Sequence, residues 1–164
     1  MAKVKLNAKV AVVNCNGGCR AKESGNYIAC EWGCVGCTIC DAVCKFGAIH
    51  QNEYGVAEVD EDKCLGCGRC VKVCPRQVIS LHLKSSTIRV LCSNEQKGKD
   101  ARLICDVSCI GCGICAKKCP ADAIEVIDNH AVINEDLCLL CGMCAVNCPR
   151  HAIIDKTGIL TPIR

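Results

Sequence analysis

The sequence predicts an α+β protein of two similar halves, each with short β-hairpins and short helices. A small β element drawn from the amino terminus and a central linker completes it. Three observations carry this expectation. Sixteen of the 21 cysteines fall in a single pattern, C-x2-C-x2-C-x3-C, written four times in 164 residues. Each copy is followed by an apolar pair and then a short alternating run, the period of a half-buried strand. Aromatic side chains are almost missing: Phe46, Trp32, Tyr27 and Tyr54 are the whole set. Rings therefore do not fill the core, and something else must.

Residues 1–30 open the chain with MAKVKLNAKVAVVNC, an apolar run ending at Cys15, and also carry Cys19 and Cys30. No long apolar stretch precedes the first cysteine, so the segment is a poor signal peptide. Nothing approaches the roughly 18 uninterrupted apolar residues of a membrane span. The expected location is the cytoplasm, where thiols stay reduced and cysteines bind metal rather than pair as disulfides.

Residues 31–84 form the first half, with Cys34, Cys37, Cys40, Cys44 and then Cys64, Cys67, Cys70, Cys74. Residues 106–158 form the second, with Cys109, Cys112, Cys115, Cys119 and then Cys138, Cys141, Cys144, Cys148. The motifs start 30 residues apart in the first half, 29 in the second, and the halves start 75 apart. This is a duplicated duplication. Apolar pairs follow each motif: Ala48 and Ile49, Val78 and Ile79, Ala123 and Ile124, Ala152 and Ile153. Hairpin turns are expected over 52–55 and 128–130. Segments such as CAKKC, between third and fourth cysteines, read as starts of short helices. Residues 85–105 are a linker, too polar and irregular for a third repeat, yet carrying Cys92 and Cys105; residues 159–164 are a tail.

Three cysteines at i, i+3 and i+6 in one loop can converge on three corners of an iron–sulfur cubane. Zinc ribbons instead use two separated C-x2-C knuckles. Glycines at 36, 66, 68, 111, 113 and 142 allow backbone to approach inorganic sulfide where a β-carbon would crowd it. Amides exposed there can bond to sulfur and tune its potential. The isoleucines after each motif would shield the metal from water. The formal charge of +3 counts every cysteine as neutral. Five sites at 2− each take that +3 to −7, so basicity is no argument for a nucleic-acid partner.

The pattern resembles the bacterial-type two-[4Fe–4S] ferredoxins, in tandem, across roughly residues 31–157. In such proteins the fourth cysteine serves the companion cluster. The resemblance thus implies four crossed ligand sets: Cys34, Cys37, Cys40 with Cys74; Cys64, Cys67, Cys70 with Cys44; Cys109, Cys112, Cys115 with Cys148; and Cys138, Cys141, Cys144 with Cys119. Three positions depart from the pattern. Lys45 replaces the proline after the fourth cysteine, Leu140 stands where the other motifs have glycine, and Thr38 replaces the glycine after the second cysteine.

Five cysteines remain. VAVVNC and TIRVLC are each an apolar run ending in cysteine, and side-by-side pairing of the two would bring Cys15 near Cys92. With Cys19 from the NGGC turn and Cys105 from the end of the linker, these make a fifth [4Fe–4S] site, Cys30 being spare or an alternate. A VAVVxCxGG segment, two ferredoxin units and a linker of this type resemble the C-terminal iron–sulfur region of the B subunit of Rnf complexes, which move electrons between ferredoxin and NAD. The membrane anchor and preceding four-cysteine domain of that family have no counterpart here, so a free-standing relative is expected.

Other chemistry is poorly supported. The GxG pairs lack the third glycine of a dinucleotide fingerprint and no P-loop lysine signature occurs. Flavin or NAD, if used, belongs to another subunit. His50, His82, His130 and His151 share no spacing and read as solvated groups. Trp32 reads as packing beside the first motif, and the charged runs as solvated faces. With few aromatics, stacking platforms for single-stranded nucleic acid are missing. The expected function is a multi-cluster electron-transfer subunit with no catalytic residue of its own. Its partners would be a flavin- or metal-containing oxidoreductase subunit and ferredoxin, with neither nucleic acid nor a membrane span. The alternative is an iron–sulfur redox or oxygen sensor, or a scaffold.

Overall fold

The computed structural model describes residues 8–17 and 30–161. Its elements, in chain order, are β1 (Lys9–Val13), α1 (Ile39–Ala42), β2 (Ile49–Gln51), β3 (Ala57–Val59), α2 (Arg69–Val73), β4 (Ile79–Leu83), β5 (Ile88–Val90), α3 (Gly98–Ile104), α4 (Ile114–Lys117), β6 (Ile124–Ile127), β7 (His130–Ile133), α5 (Met143–Val146) and β8 (Ile153–Asp155). The architecture is α+β, made of short pieces.

The strands form four antiparallel pairs: β1 with β4, β2 with β3, β5 with β8, and β6 with β7. β2–β3 and β6–β7 are local hairpins at the expected turns. Asn52 closes the first by accepting the amides of Tyr54 and Val56 on its side chain, both at 3.1 Å. Asp128 and Asn129 close the second with positive φ, which these short polar side chains tolerate.

The strands at VAVV and TIRV do not pair with each other along their length. β1 runs against β4, with Ala11 opposite Leu81 and Val13 opposite Ile79. β5 runs against β8, with Ile88 opposite Asp155 and Val90 opposite Ile153. Each run instead pairs with a strand that opens on the isoleucine after a second motif, Ile79 or Ile153. Past the ends of the two runs, Cys15 and Cys92 form an isolated antiparallel bridge.

Two apolar clusters make the core. One gathers Ala11, Val13, Ile49, Val56, Val78 and Ile79 around Cys40 and Cys70; the other gathers Ile88, Ile124, Ala131, Ala152 and Ile153 around Cys109, Cys115 and Cys144. Thiols, not rings, stand at the centre of both.

The halves are tied by polar contacts across their seam. Glu61 accepts from the buried Arg89 at 2.5 Å and from Lys156 at 2.7 Å. Arg89 also donates to the carbonyls of Ser86 and Leu83. His82, expected to be solvated, instead lies 2.6 Å from Glu135 and 2.7 Å from Ser80. The linker is likewise more ordered than its polarity suggests. It contains α3, which packs the fully buried Ala101 inward and ends where the amide of Cys105 bonds back to the Ala101 carbonyl.

Candidate metal centres

The four C-x2-C-x2-C-x3-C motifs fold into the same local shape. The residue after the second cysteine, Thr38, Gly68, Gly113 or Gly142, is left-handed with φ between 59° and 72° and turns the chain into a four- or five-residue helix. That helix carries the third cysteine inward, so Cys40, Cys70, Cys115 and Cys144 are all buried, while Cys37, Cys67, Cys112 and Cys141 are exposed. Three residues past the fourth cysteine the chain is left-handed again, at Gly47, Gln77, Asp122 and His151. There the amide bonds back to the carbonyl of the fourth cysteine. The turn then delivers the apolar pair inward: Ile49, Ile79, Ile124 and Ile153 are all 6% exposed or less.

Three cavities are each bounded by four thiols. Cys34, Cys37, Cys40 and Cys74 line the first, which encloses about 360 Å³ against Ala57, Val78 and Ile79. Cys109, Cys112, Cys115 and Cys148 line the second, about 350 Å³, against Ala131 and Ile153. Cys44, Cys64, Cys67 and Cys70 line the third, about 330 Å³, against Ala11, Ala48 and Ile49. Of the remaining motif cysteines, Cys144 sits on α5 near Cys138 and Cys115. Cys119 accepts the amide of Ala123 at 3.4 Å. Other amides reach sulfur too: Ala48 to Cys44, Ala11 to Cys64 and Leu140 to Cys138, each at 3.4 Å.

A fourth cavity, about 300 Å³, lies at the seam and is lined by Cys15, Cys30, Cys92 and Cys105 with Trp32, Asn94 and Ser108. Trp32 thus lines this cavity and not the one beside the first motif. Cys19, expected as a ligand here, lies outside the described residues.

Burial dominates the acid–base behaviour of these thiols. It pushes Cys40 and Cys115 up to about 11 and Cys92 and Cys144 up to about 12, and raises Cys15 and Cys70 as well; neighbouring cysteines add to each rise. Thiolates packed this closely need a positive core among them, and loading one releases protons. Among the described residues, no three Cys, His, Asp or Glu side chains close tightly enough to hold a single metal ion. Thiols spread around a cavity suit a polynuclear cluster better than zinc, whose four sulfurs stand about 2.3 Å from one point.

Arg76 and Arg150 were missed from sequence. Each follows a Cys-Pro pair, and each lines a thiol cavity. Arg76 donates to the Glu31 carbonyl at 2.8 Å and Arg150 to the Cys105 carbonyl at 2.6 Å. The repeated CPR at 74–76 and 148–150 was the available signal. Nothing in the spacing singled out Cys30.

Comparison with known proteins bears on the same residues. Residues 56–79 match the family model for a 4Fe-4S binding domain, and residues 108–153 that for a 4Fe-4S dicluster domain. The chain is 42% identical over 145 residues to the B subunit of the Na(+)-translocating ferredoxin:NAD(+) oxidoreductase complex of Acetobacterium woodii, covering 78% of this chain and 44% of that relative. It is 37% identical to the B subunit of the proton-translocating ferredoxin:NAD(+) oxidoreductase complex of Clostridium ljungdahlii, covering 80% and 52%. The chain is an Rnf-B-like 4Fe-4S ferredoxin.

The Rnf-B-like chain binds [4Fe–4S] clusters. It spans about half the length of these curated relatives. Neither family model reaches the motif at 34–44, the one in which Thr38 and Lys45 depart from the repeat. A solved chain of the formate dehydrogenase–heterodisulfide reductase–formylmethanofuran dehydrogenase complex from Methanospirillum hungatei covers 74% of this chain and 51% of its own, at 23% identity and a TM-score of 0.30. Among the described residues, no helix is long and apolar enough to cross a membrane.

Proposed function

We propose that this Rnf-B-like chain is an electron-transfer subunit of an oxidoreductase complex. It relays single electrons between a flavin- or metal-containing partner and another low-potential carrier such as ferredoxin, in the reducing cytoplasm. The observation that carries this reading is the recurrence of one cavity type, in which three thiols of a loop are closed by a fourth from the companion motif. A complete ligand set leaves no open position for a substrate, so it favours passage of charge over bond-making. The names of the Acetobacterium and Clostridium relatives support a ferredoxin-linked role.

On this reading the chain is two tandem dicluster units, 31–84 and 106–158, flanked by 1–30, 85–105 and 159–164. Cys34, Cys37, Cys40 and Cys74 hold one cluster, and Cys64, Cys67, Cys70 and Cys44 its companion. Cys109, Cys112, Cys115 and Cys148 hold the third, and Cys138, Cys141, Cys144 and Cys119 the fourth. A fifth occupies the seam. When bound, such clusters supply reversible one-electron reduction at low potential. The chain's residues hold that potential: amides bonded to sulfur raise it, and buried isoleucines keep water away. The exposed second cysteine of each motif keeps one corner of each site within reach of a docked partner.

Anaerobic co-purification with identification of the attached proteins tests this, paired with mixing against reduced two-[4Fe–4S] ferredoxin. Rapid bleaching of the chain's visible absorbance is expected. A chain that exchanges electrons with neither ferredoxin nor any flavoprotein overturns the reading.

A further inference from the structure

The seam cavity is not explained by the ferredoxin-type motifs, because none of its four cysteines belongs to one. They come from four places: Cys15 after β1, Cys30 ahead of the first motif, Cys92 after β5, and Cys105 at the end of α3. Yet it too is bounded by four thiols, as the three motif cavities are.

The backbone around it is pinned. Cys15 and Cys92 face each other across their antiparallel bridge. Gly33 fits between Cys15 and Cys30: a β-carbon there would stand 3.6 Å from Cys15 Sγ and 3.3 Å from Cys30 Cβ. The carbonyl of Cys105 is held by Arg150 at 2.6 Å and by the Ser108 hydroxyl at 3.1 Å. Ser93 donates to the Trp32 carbonyl at 2.9 Å, tying the linker to the loop before the first motif.

One polar group in the wall is unspent. Asn94 is 1% exposed, its Oδ1 accepts the Gln96 amide at 2.8 Å, and its Nδ2 has no hydrogen-bond partner. A buried amide donor without an acceptor is costly, and a sulfide or cysteinyl sulfur is the acceptor this cavity would offer. The spread of these thiols around the cavity disfavours zinc, since no three of the described ligand-type side chains close on one point.

We infer that Cys15, Cys30, Cys92 and Cys105 hold a fifth [4Fe–4S] cluster, that Asn94 donates to its sulfur, and that it joins the two dicluster units. The inference rests on the electron-transfer reading above for the other four. Its position follows from the neighbours of its ligands. The amide of Cys109, a ligand in the second unit, donates to Cys92 Sγ at 3.2 Å. On the other side, the Cys15 thiol lies within electrostatic reach of Cys34, a ligand in the first unit. An electron arriving from either unit takes the core from 2+ to 1+, and its departure to the other restores 2+. No bond forms or breaks and no proton is needed.

Iron, sulfide and reductive titration of anaerobically prepared full-length protein test this. The wild type and Cys19→Ala are expected to hold about 20 irons and to accept about five electrons; Cys30→Ala is expected either to hold about 16 irons and accept about four electrons, or to hold about 19 and display an oxidised [3Fe–4S] signal. Fully reduced Cys30→Ala should give two separate dicluster electron-spin spectra where the wild type gives one coupled set. Asn94→Leu should keep its iron and lower the potential of one reduction step only. A wild type with about 16 irons overturns the inference while leaving the four-cluster reading intact. Retention of all iron in Cys30→Ala with loss in Cys19→Ala overturns the ligand set, and an unchanged spin spectrum overturns the joining role. A wild type without iron or sulfide would instead fail the underlying reading.

Discussion

Thr38 and Leu140 show how strongly the cluster loops constrain single residues. Both stand where sister motifs have glycine, and both keep the left-handed backbone, with φ of 59° and 55°. That conformation costs a residue with a β-carbon about 1–2 kcal/mol, against a glycine entropy cost of about 0.5–1. Thr38→Gly should therefore stabilise the holoprotein by about 0.5–1 kcal/mol, read as a higher denaturant midpoint or slower loss of visible absorbance. No gain would mean that position 38 is not left-handed in solution. Gly36 is the opposite case: its β-carbon would stand 2.6 Å from the Gly55 carbonyl oxygen, so Gly36→Ala should lower holoprotein yield.

The crossing of ligand sets is also argued residue by residue. If Cys74 and Cys34 serve one cluster, the double alanine variant should lose no more iron than either single one, about four per chain. Cys74→Ala with Cys64→Ala should lose about eight. Additive losses in the first pair would refute the crossing. The loops that carry these thiols were legible in sequence, because their shape is set locally by the motif spacing. Cys30 and Asn94 were not, because what brings them to the seam is the bridging of 15 to 92, a long-range contact without periodicity.

Among the elements, the hairpins and short helices could be read from alternation and motif spacing. The partners of β1 and β5 could not, since two similar apolar runs compete for similar strands and only burial within each half decides. α3 was hidden by a polar surface and a glycine start. Two predictions belong here. Glu61 bridges β5 and the segment after β8, so Glu61→Gln leaves the buried Arg89 unmatched and should cost about 1–3 kcal/mol, seen as faster proteolysis between the units. Unchanged cleavage would argue that the seam is held by something else.

The second concerns the turn after β8. The Thr157 hydroxyl and amide, with the Leu160 amide, hold the Asp155 carboxyl below the usual carboxylate range. A depressed value means that its contribution is present above that range and is lost as pH falls through it. Protection of the amides at 157–160 from hydrogen exchange, taken relative to the intrinsic rate at each pH, should therefore fall on acidification below about pH 4, and Asp155→Asn should be weakly protected already at neutral pH. Equal protection in the variant would remove the carboxylate from the account.

At the scale of the whole molecule, two small apolar clusters close around thiols whose pKa values burial has raised. Without metal those thiols stay protonated, and the thiol-lined cavities lose their filling. Every buried group that lines such a space then loses contacts it would otherwise make. The fold and its cofactors are then one equilibrium, as in other small metal-dependent domains.

Iron, acid-labile sulfide and backbone circular dichroism, measured on one anaerobic sample before and after cluster removal, test that claim most directly. Iron and sulfide in equal amounts, with strand and helix signal lost when both are stripped, is the outcome expected here. A colourless protein that keeps its circular dichroism without iron or sulfide would contradict it.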